Sequence, residues 1–236
     1  MIRYFSHFVL YFLLIPSIGL SVPCCMANAA SATNKNTPVI LVMGDSLSAG
    51  YRMRISEGWV ALLEKRLANE NFPHRVINAS ISGETSSGGL SRLPGALRKH
   101  QPKIVIIELG ANDGLRGLPL PLMRENLRRM IITAQQNSAQ VLLLGMRLPP
   151  NYGPRYTQGF AQVFVELAQQ YKTGLVPFLL AGVATQATLM QSDGLHPTAT
   201  AQNQLLDTVW PYLQPLLNST FTTASVSAPA DPSYSN

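Results

Sequence analysis

Short apolar runs alternate along the chain with segments in which apolar residues recur every three or four positions. The short runs span residues 38–43, 75–78, 103–109, 141–144 and 175–178. Runs of this length, rich in Val, Ile and Leu, are typical of strands that are buried on both faces of a parallel sheet. Pro177 lies in the last run and cannot donate a hydrogen bond to a neighbouring strand, which predicts that this strand forms an edge of the sheet.

The segments between these runs have the spacing of amphipathic helices. Trp59, Leu63 and Leu67 are each four residues apart. Two longer helical stripes consist of Leu122 or Met123, Leu127, Met130, Ile131 and Ala134, and of Phe160, Val163, Phe164, Leu167 and Tyr171. A last helix is predicted from about Pro197 to Leu217. Strands that alternate with helices predict the α/β class, here a flavodoxin-like three-layer α/β/α sandwich with a five-stranded parallel sheet.

The two ends of the chain differ from the part between them. Arg3 precedes an apolar stretch from Phe8 to Leu20, and A-x-A patterns of small residues follow at 27–29 and 30–32. This order is that of a secretory signal peptide, so we expect cleavage and export to the periplasm or beyond the cell. An uncleaved membrane anchor is the alternative, but the stretch is short for a membrane span and contains Pro16. A lipoprotein is a further alternative, although Ser21-Val22-Pro23 is a poor context for lipid attachment at Cys24.

The predicted organisation is a signal peptide over residues 1–29, one hydrolase domain over 30–218 and a disordered tail over 219–236. The tail is rich in Ser, Thr, Ala and Pro and has no apolar periodicity. No internal repeat and no linker divides the central region.

Composition narrows the possible functions. Hydrophobic residues make up 46% of the chain and charged residues 13%, which is enough apolar material for a folded core. The net charge is +6, but the basic residues are dispersed, so nucleic-acid binding is not expected. Attraction to acidic substrates, or a transient contact with an anionic membrane surface, stays open. Both cysteines, Cys24 and Cys25, lie near the predicted cleavage sites, so the mature chain is expected to have no disulfide and no cysteine nucleophile.

Four polar segments follow predicted strands, where the ligands of a doubly wound sheet bind. They span residues 44–50, 80–85, 110–114 and 193–197. Each has a purely structural interpretation on its own. Ser46 is a common helix cap, Gly83 could serve a positive φ, and Asn112 could form a tight turn. His196 could simply flank a helix that begins at Pro197.

Taken together, the same residues favour nucleophilic catalysis. A serine hydroxyl needs an adjacent base, which His196 can supply, and Asp193 can hold the imidazole in the required tautomer. The N–H groups of Ser46 and Gly83 and the amide of Asn112 are the kinds of donor that stabilise an oxyanion. The G-x-S-x-G, G-x-G-x-x-G, G-x-x-x-x-G-K-[ST] and H-E-x-x-H motifs are absent, and the histidines are not clustered, so neither a metal nor a cofactor is expected.

These segments resemble the motif blocks of the SGNH (GDSL) hydrolases. The matching residues are Gly44-Asp45-Ser46-Leu47, Gly83, Gly110-x-Asn112-Asp113 and Asp193-x-x-His196-Pro197, and the resemblance covers about residues 38 to 215. It implies the SGNH hydrolase fold, with Ser46 as the nucleophile, His196 as its base and Asp193 as the residue that orients His196. It also implies that Gly83 and Asn112 join Ser46 in an oxyanion hole.

The resemblance implies a monomeric enzyme that cleaves small-molecule acyl esters and acyl thioesters, lysophospholipids included. An O-acetyl esterase of cell-wall or extracellular polysaccharide would use the same catalytic residues with a more polar pocket. A non-catalytic binding module is a third interpretation, but it has no need of these residues together. Apolar loop residues near the predicted crevice are candidate acyl contacts, namely Leu115, Leu118, Met146, Leu148, Tyr152 and Leu195.

Overall fold

The computed structural model describes the backbone of residues 37–226 and the side chains up to residue 219. The predicted signal peptide and the last residues of the predicted tail therefore lie outside the described residues. The strands are β1 (Val39–Gly44), β2 (Arg75–Asn78), β3 (Ile104–Glu108), β4 (Gln140–Leu144) and β5 (Gly174–Val176). The α-helices are α1 (Ser46–Ala49), α2 (Trp59–Asn69), α3 (Ser86–His100), α4 (Ala111–Leu115), α5 (Leu120–Gln136), α6 (Pro154–Tyr171) and α7 (Gln202–Val226).

The five strands form one parallel sheet in the order β2-β1-β3-β4-β5, as the alternating pattern predicts. Every residue of β1 and β3, two of the three inner strands, is buried, whereas β2 and β5 are partly exposed. β5 is an edge strand, which confirms the prediction from Pro177. β1 and β3 are paired so that Gly44 lies opposite Glu108, and both strands end at the same level.

Helices cover the sheet in two groups. α2 packs against α7, and α5 packs between α3 and α6. The predicted apolar stripes are the buried faces of these helices, with Trp59 and Leu63 of α2 and Leu127 and Phe160 of α5 and α6 fully buried. The three-layer α/β/α arrangement is therefore confirmed. No helix among the described residues has both the length and the apolar character needed to cross a bilayer.

Helix α3 is the long helix that the apolar pattern does not identify. It contains Gly88 and Pro94, residues with poor helix propensity. Thr85 caps the helix by accepting a hydrogen bond from the N–H of Gly88 at 3.4 Å, and Leu93 and Leu97 are buried. Packing of this sparse apolar face against the body of the protein outweighs the weak propensity of the sequence.

Helix α7 begins later and ends later than the pattern predicts. A turn of 3-10 helix precedes Gln202, and the α-helix runs to Val226 rather than ending at Leu217. The first eight residues of the predicted tail are therefore helical. Leu213 and Leu217 are fully buried, so the apolar stripe marks the part of the helix that packs on the body rather than its full length.

Candidate active site

The proposed nucleophile lies where the inner strand β1 turns into the short helix α1. Ser46 is the first residue of that helix and is partly exposed. The side chain of Asp45 caps the helix by accepting a hydrogen bond from the N–H of Leu47 at 3.0 Å. Gly50 ends the helix in the left-handed conformation, with φ of 76°. One helical turn thus presents the Ser46 hydroxyl at the carboxyl end of the sheet.

Ser46, His196 and Asp193 form a continuous chain of hydrogen bonds. Ser46 Oγ lies 2.8 Å from His196 Nε2. His196 Nδ1 lies 2.9 Å from Asp193 Oδ2. The structure thus brings together three side chains from two segments that are about 150 residues apart, with the geometry that a nucleophile, a base and an orienting carboxylate require.

The environment of Asp193 determines which nitrogen of His196 carries the proton. Asp193 Oδ1 accepts hydrogen bonds from the backbone N–H groups of Leu195, at 2.9 Å, and His196, at 3.0 Å. The Leu195 N–H, and then the N–H and ring of His196, lower the pKa of Asp193 to about 2. An ionised carboxylate can only accept, so Nδ1–H of His196 donates to it and Nε2 accepts the Ser46 hydroxyl proton.

The loop that carries Asp193 and His196 is held to the rest of the site by Gln191. Its backbone N–H donates to the carbonyl of His196 at 2.7 Å. Its side-chain amide donates to the carbonyls of Tyr51, at 3.1 Å, and Pro197, at 3.0 Å. The ring of Tyr51 lies against the imidazole of His196, with 4.4 Å between ring centroids. Backbone bonds and a ring contact thus fix the position of the base.

Two backbone N–H groups of the predicted oxyanion hole have no acceptor among the described residues. Within the described part of the chain, neither Ser46 N–H nor Gly83 N–H donates a hydrogen bond. Gly83 has φ of +79°, a conformation that favours glycine, so the turn after β2 requires this residue. Arg116 donates to the carbonyl oxygen of Gly83 at 2.9 Å and holds the turn in place.

The amide of Asn112 is held by two acceptors of the protein. Nδ2 donates to Asp45 Oδ2 and to the backbone carbonyl of Glu84, both at 3.0 Å. Arg92 forms an ion pair with the side chain of Glu84 and donates to the carbonyl of Ala79 at 2.8 Å. Since Nδ2 carries two hydrogens and both have acceptors, an oxyanion would share one of them with Asp45 or Glu84.

Residues that the sequence analysis did not single out for function complete this network. Glu108 is fully buried and accepts from the N–H of Asp45 at 3.2 Å and the hydroxyl of Ser48 at 2.8 Å. Burial raises the pKa of Asp45 to about 6 and that of Glu108 well above its ordinary value. In the sequence, Glu108 is a carboxylate at the end of an otherwise apolar strand, and Asp45 is a carboxylate directly after another. That position was the available signal for these two residues.

A cavity of about 460 Å³ opens beside Ser46, Asn112 and His196. Its remaining walls are mostly apolar. They include four of the candidate acyl contacts, namely Leu115, Met146, Leu148 and Leu195. Leu47, Pro149, Pro150, Phe178, Leu180, Ala184 and Met190 also contribute, together with Arg147 and Thr185.

Two candidate acyl contacts, Leu118 and Tyr152, do not line this cavity. The hydroxyl of Tyr152 donates to the carbonyl of Leu115 at 2.8 Å, so this side chain contacts a residue of the cavity wall without lining the cavity itself. Leu118 accepts a hydrogen bond at its backbone carbonyl from the Tyr156 hydroxyl at 2.8 Å. Loop position alone did not separate residues that face the cavity from those that brace it. Among the described residues, no three His, Cys, Asp or Glu side chains are grouped as metal ligands would be.

Comparison with known proteins identifies the family. Residues 42–203 match the GDSL-like lipase/acylhydrolase family. The chain is 51% identical over 193 residues to the esterase TesA of Pseudomonas aeruginosa, a match that covers 82% of this chain and 96% of that protein. It is 44% identical over 179 residues to thioesterase 1/protease 1/lysophospholipase L1 of Escherichia coli K12, covering 76% of this chain and 85% of that protein.

A solved structure with the same fold is that of the psychrotrophic esterase EstA from a Pseudoalteromonas species, inhibited by monoethylphosphonate. It is 42% identical, covers 76% of this chain and 98% of its own, and has a TM-score of 0.73. The family match and the relatives agree with the geometry around Ser46. The chain therefore belongs to the GDSL-like lipase/acylhydrolase family, the SGNH hydrolases, and is an enzyme with ester hydrolase activity.

Proposed function

We propose that the protein hydrolyses acyl esters and acyl thioesters with Ser46 as nucleophile, His196 as general base and Asp193 as the residue that orients His196. The observation that carries this proposal is the pair of hydrogen bonds from Ser46 Oγ to His196 Nε2 at 2.8 Å and from His196 Nδ1 to Asp193 Oδ2 at 2.9 Å. A serine hydroxyl becomes a competent nucleophile when a base accepts its proton during attack.

In the acylation step, Ser46 Oγ forms a bond to the carbonyl carbon while Nε2 of His196 takes the hydroxyl proton. The carbonyl π electrons move onto oxygen and produce a tetrahedral oxyanion. Asp193 stabilises the imidazolium through the Nδ1–H bond and stays ionised throughout. When the intermediate collapses, the leaving alkoxide or thiolate receives the proton from Nε2, and the acyl group remains on Ser46.

The oxyanion is stabilised by donors that are in place before the reaction. The N–H groups of Ser46 and Gly83 are available, and Asn112 is held beside them by Asp45 and Glu84. Donors of this kind interact more strongly with the developed charge of the intermediate than with the neutral carbonyl of the substrate, so they lower the barrier selectively.

Deacylation repeats the same chemistry with water. Nε2 of His196 takes a proton from a water molecule as its oxygen bonds to the acyl carbon, and the second tetrahedral intermediate expels Ser46 Oγ. The proton returns to Ser46, and the carboxylic acid leaves. Both half-reactions need one base and one oxyanion site, so the same residues serve each of them.

The cavity beside Ser46 supports acyl groups longer than acetyl. Its volume of about 460 Å³ lies in the range of sites that enclose small ligands, and Met146, Leu148 and Phe178 give it an apolar wall. Esters, thioesters and lysophospholipids share such an acyl group, and the name of the Escherichia coli relative includes thioesterase and lysophospholipase. An O-acetyl esterase would leave most of this surface unused.

The test is a series of p-nitrophenyl esters and acyl-CoA thioesters from acetyl to palmitoyl, hydrolysed by the purified mature chain. We expect kcat/KM to rise from acetyl to medium-length acyl groups in both series. A preference for acetyl, with activity on acetylated polysaccharide, would overturn the proposed substrate class but leave the catalytic residues. Ser46→Ala is the control and should abolish turnover of every substrate.

We also propose that the chain is exported after cleavage near Ala29. The order of Arg3, an apolar stretch from Phe8 to Leu20 and small residues supports this proposal. N-terminal sequencing of the exported protein should find a start close to Ala30 or Thr33. Recovery of Met1 in the exported protein would favour the anchor instead.

A further inference from the structure

Glu108 is a buried acid that neither the motif blocks nor the proposed mechanism uses. It is the last residue of β3, opposite Gly44 of β1, and none of its surface is exposed. No cation pairs with it among the described ion pairs. An ionised carboxylate that is fully buried without a cation is strongly unfavourable. The contacts of Glu108 must therefore account for its presence there.

The contacts of the two carboxyl oxygens of Glu108 fit a neutral acid. Oε2 accepts from Asp45 N–H at 3.2 Å and from the Ser48 hydroxyl at 2.8 Å. Oε1 is buried and has no hydrogen-bond partner among the described residues. An ionised carboxylate needs donors at both oxygens, whereas a carboxylic acid needs them at one and carries its proton on the other. Asp45, which is 1% exposed, is held at the other oxygen, Oε2, through its backbone N–H.

Electrostatics support the same assignment. Asp45 and Glu108 are buried acids linked by the hydrogen bond from Asp45 N–H to Glu108 Oε2, so their two carboxyl groups cannot both be ionised at low cost. Burial, and then the charge of Asp45, raise the pKa of Glu108 well above its ordinary value. Asp45 accepts hydrogen bonds from Leu47 and Asn112 and lies in the field of His196, all of which favour its ionised form. Glu108 is therefore the protonated member of the pair.

Asp45 connects Glu108 to the reacting groups. Its backbone N–H is held by Glu108, and it directly precedes Ser46. Its Oδ2 holds Nδ2 of Asn112 at 3.0 Å, and its Oδ1 fixes the first turn of α1 through Leu47 N–H. A Cβ at Gly44 would lie 2.8 Å from Glu108 Oε2, so the strand and the acid are packed without spare room.

We propose that Glu108 is a positioning residue for the hydrolytic reaction, which acts as a neutral carboxylic acid that holds Asp45 and, through it, the Ser46 turn and the Asn112 amide. This inference rests on the proposed function, since it concerns the same nucleophile and oxyanion site. A merely structural buried acid would affect stability alone. Removal of a positioning acid also lowers kcat, with little change in KM, whereas a neutral side chain of the same shape preserves kcat.

The test compares Glu108→Gln, Glu108→Ala and His74→Leu in the full mature enzyme. Glutamine keeps an acceptor for Asp45 N–H and Ser48 and supplies an N–H in place of the acid proton, so we expect kcat within about threefold of the native value. Alanine removes every one of these contacts, so kcat should fall roughly 10- to 100-fold with KM nearly unchanged. His74 is buried at the opposite end of the sheet, directly before β2, so His74→Leu should change the unfolding midpoint without changing kcat.

The outcomes separate the alternatives. If Glu108→Gln folds and loses tenfold or more of kcat, the negative charge is required and the neutral-acid assignment is wrong. If Glu108→Ala is less stable but keeps kcat, Glu108 is structural and the inference fails. Should Glu108→Ala not fold, Asp45→Asn replaces it, because this variant is isosteric and turns an amide N–H toward Asn112; its kcat should fall at least tenfold. Activity that survives Ser46→Ala would instead refute the proposed function itself.

Discussion

Asp193→Asn is the substitution whose effect the geometry determines most fully. Oδ1 of Asp193 accepts two backbone N–H groups, those of Leu195 and His196, while Oδ2 accepts the imidazole Nδ1–H. The asparagine amide has one oxygen, and the two backbone donors require that oxygen at the Oδ1 position. The NH₂ group must then face Nδ1 of His196. Nδ1 becomes the acceptor, and the single ring proton moves to Nε2, where it points at Ser46 Oγ.

This tautomer cannot accept the Ser46 proton, so the base is lost although every atom stays in place. For serine hydrolases with the same arrangement, such a change lowers kcat by on the order of 10⁴. That ratio corresponds to about 5 kcal/mol of transition-state stabilisation. KM should change little, because the cavity lined by Met146, Leu148 and Phe178 is untouched. The unfolding midpoint should also change little, because the loop keeps both backbone hydrogen bonds.

The assay is steady-state hydrolysis of a medium-chain p-nitrophenyl ester, together with ¹⁵N chemical shifts of the imidazole to report the tautomer. Asp193→Ala is the matched control, since it removes the carboxylate without forcing a tautomer but also removes the acceptor for Leu195 and His196 N–H. We expect the alanine variant to be the less stable of the two and no slower than asparagine in kcat. An asparagine variant within tenfold of the native kcat would refute this account of Asp193.

Three further predictions concern different parts of the molecule. Asn112→Asp should lower kcat at least as far as Asn112→Ala, by roughly 10²- to 10³-fold with KM nearly unchanged, because a carboxylate repels the oxyanion; an active aspartate variant at neutral pH would remove Asn112 from the oxyanion site. Burial lowers the pKa of His74 from 6.5 to about 4, so between these two pH values the unfolded state binds more protons than the folded state. The free energy of unfolding, measured by urea titration, should therefore fall as the pH drops from 6.5 to about 4. His74→Leu should lack this contribution, and an unchanged slope in that variant would show that another group is responsible. Ala184→Phe should narrow the cavity and lower kcat/KM for decanoyl esters by roughly tenfold while sparing acetyl esters, and equal losses for both would place the acyl chain elsewhere.

The sheet was predictable because its inner strands are buried on both faces, and such strands appear in the sequence as short apolar runs. β1 and β3 are buried along their whole length. The edge position of β5 followed from one residue, Pro177. The apolar pattern did not reveal helix α3, since Gly88 and Pro94 weaken its intrinsic signal and long-range packing supplies its stability. The end of α7 was placed too early, because periodicity reports burial and the helix continues where burial stops.

In the site, the sequence indicated the groups that react but not those that hold them. Ser46, Asp193 and His196 have side chains suited to nucleophilic catalysis, and the structure places them in hydrogen-bond contact. In the sequence, Glu108 is simply a polar residue at the end of a strand. Only the structure shows that it lies opposite Gly44 and accepts a hydrogen bond from Asp45. The cavity wall was only partly identified, since whether Leu118 or Leu148 faces the cavity depends on how the loops fold.

The central claim is that Ser46 Oγ is the atom that bonds to the acyl carbon. A p-nitrophenyl alkylphosphonate tests it directly, because attack on phosphorus expels p-nitrophenolate and leaves a stable tetrahedral adduct on the nucleophile. Peptide mass spectrometry of the labelled enzyme should find one adduct for each chain, on Ser46, formed in parallel with the loss of esterase activity. Ser46→Ala should take up no label, and Asp193→Asn should be labelled slowly. An adduct on another residue, or full esterase activity in Ser46→Ala, would contradict the mechanism.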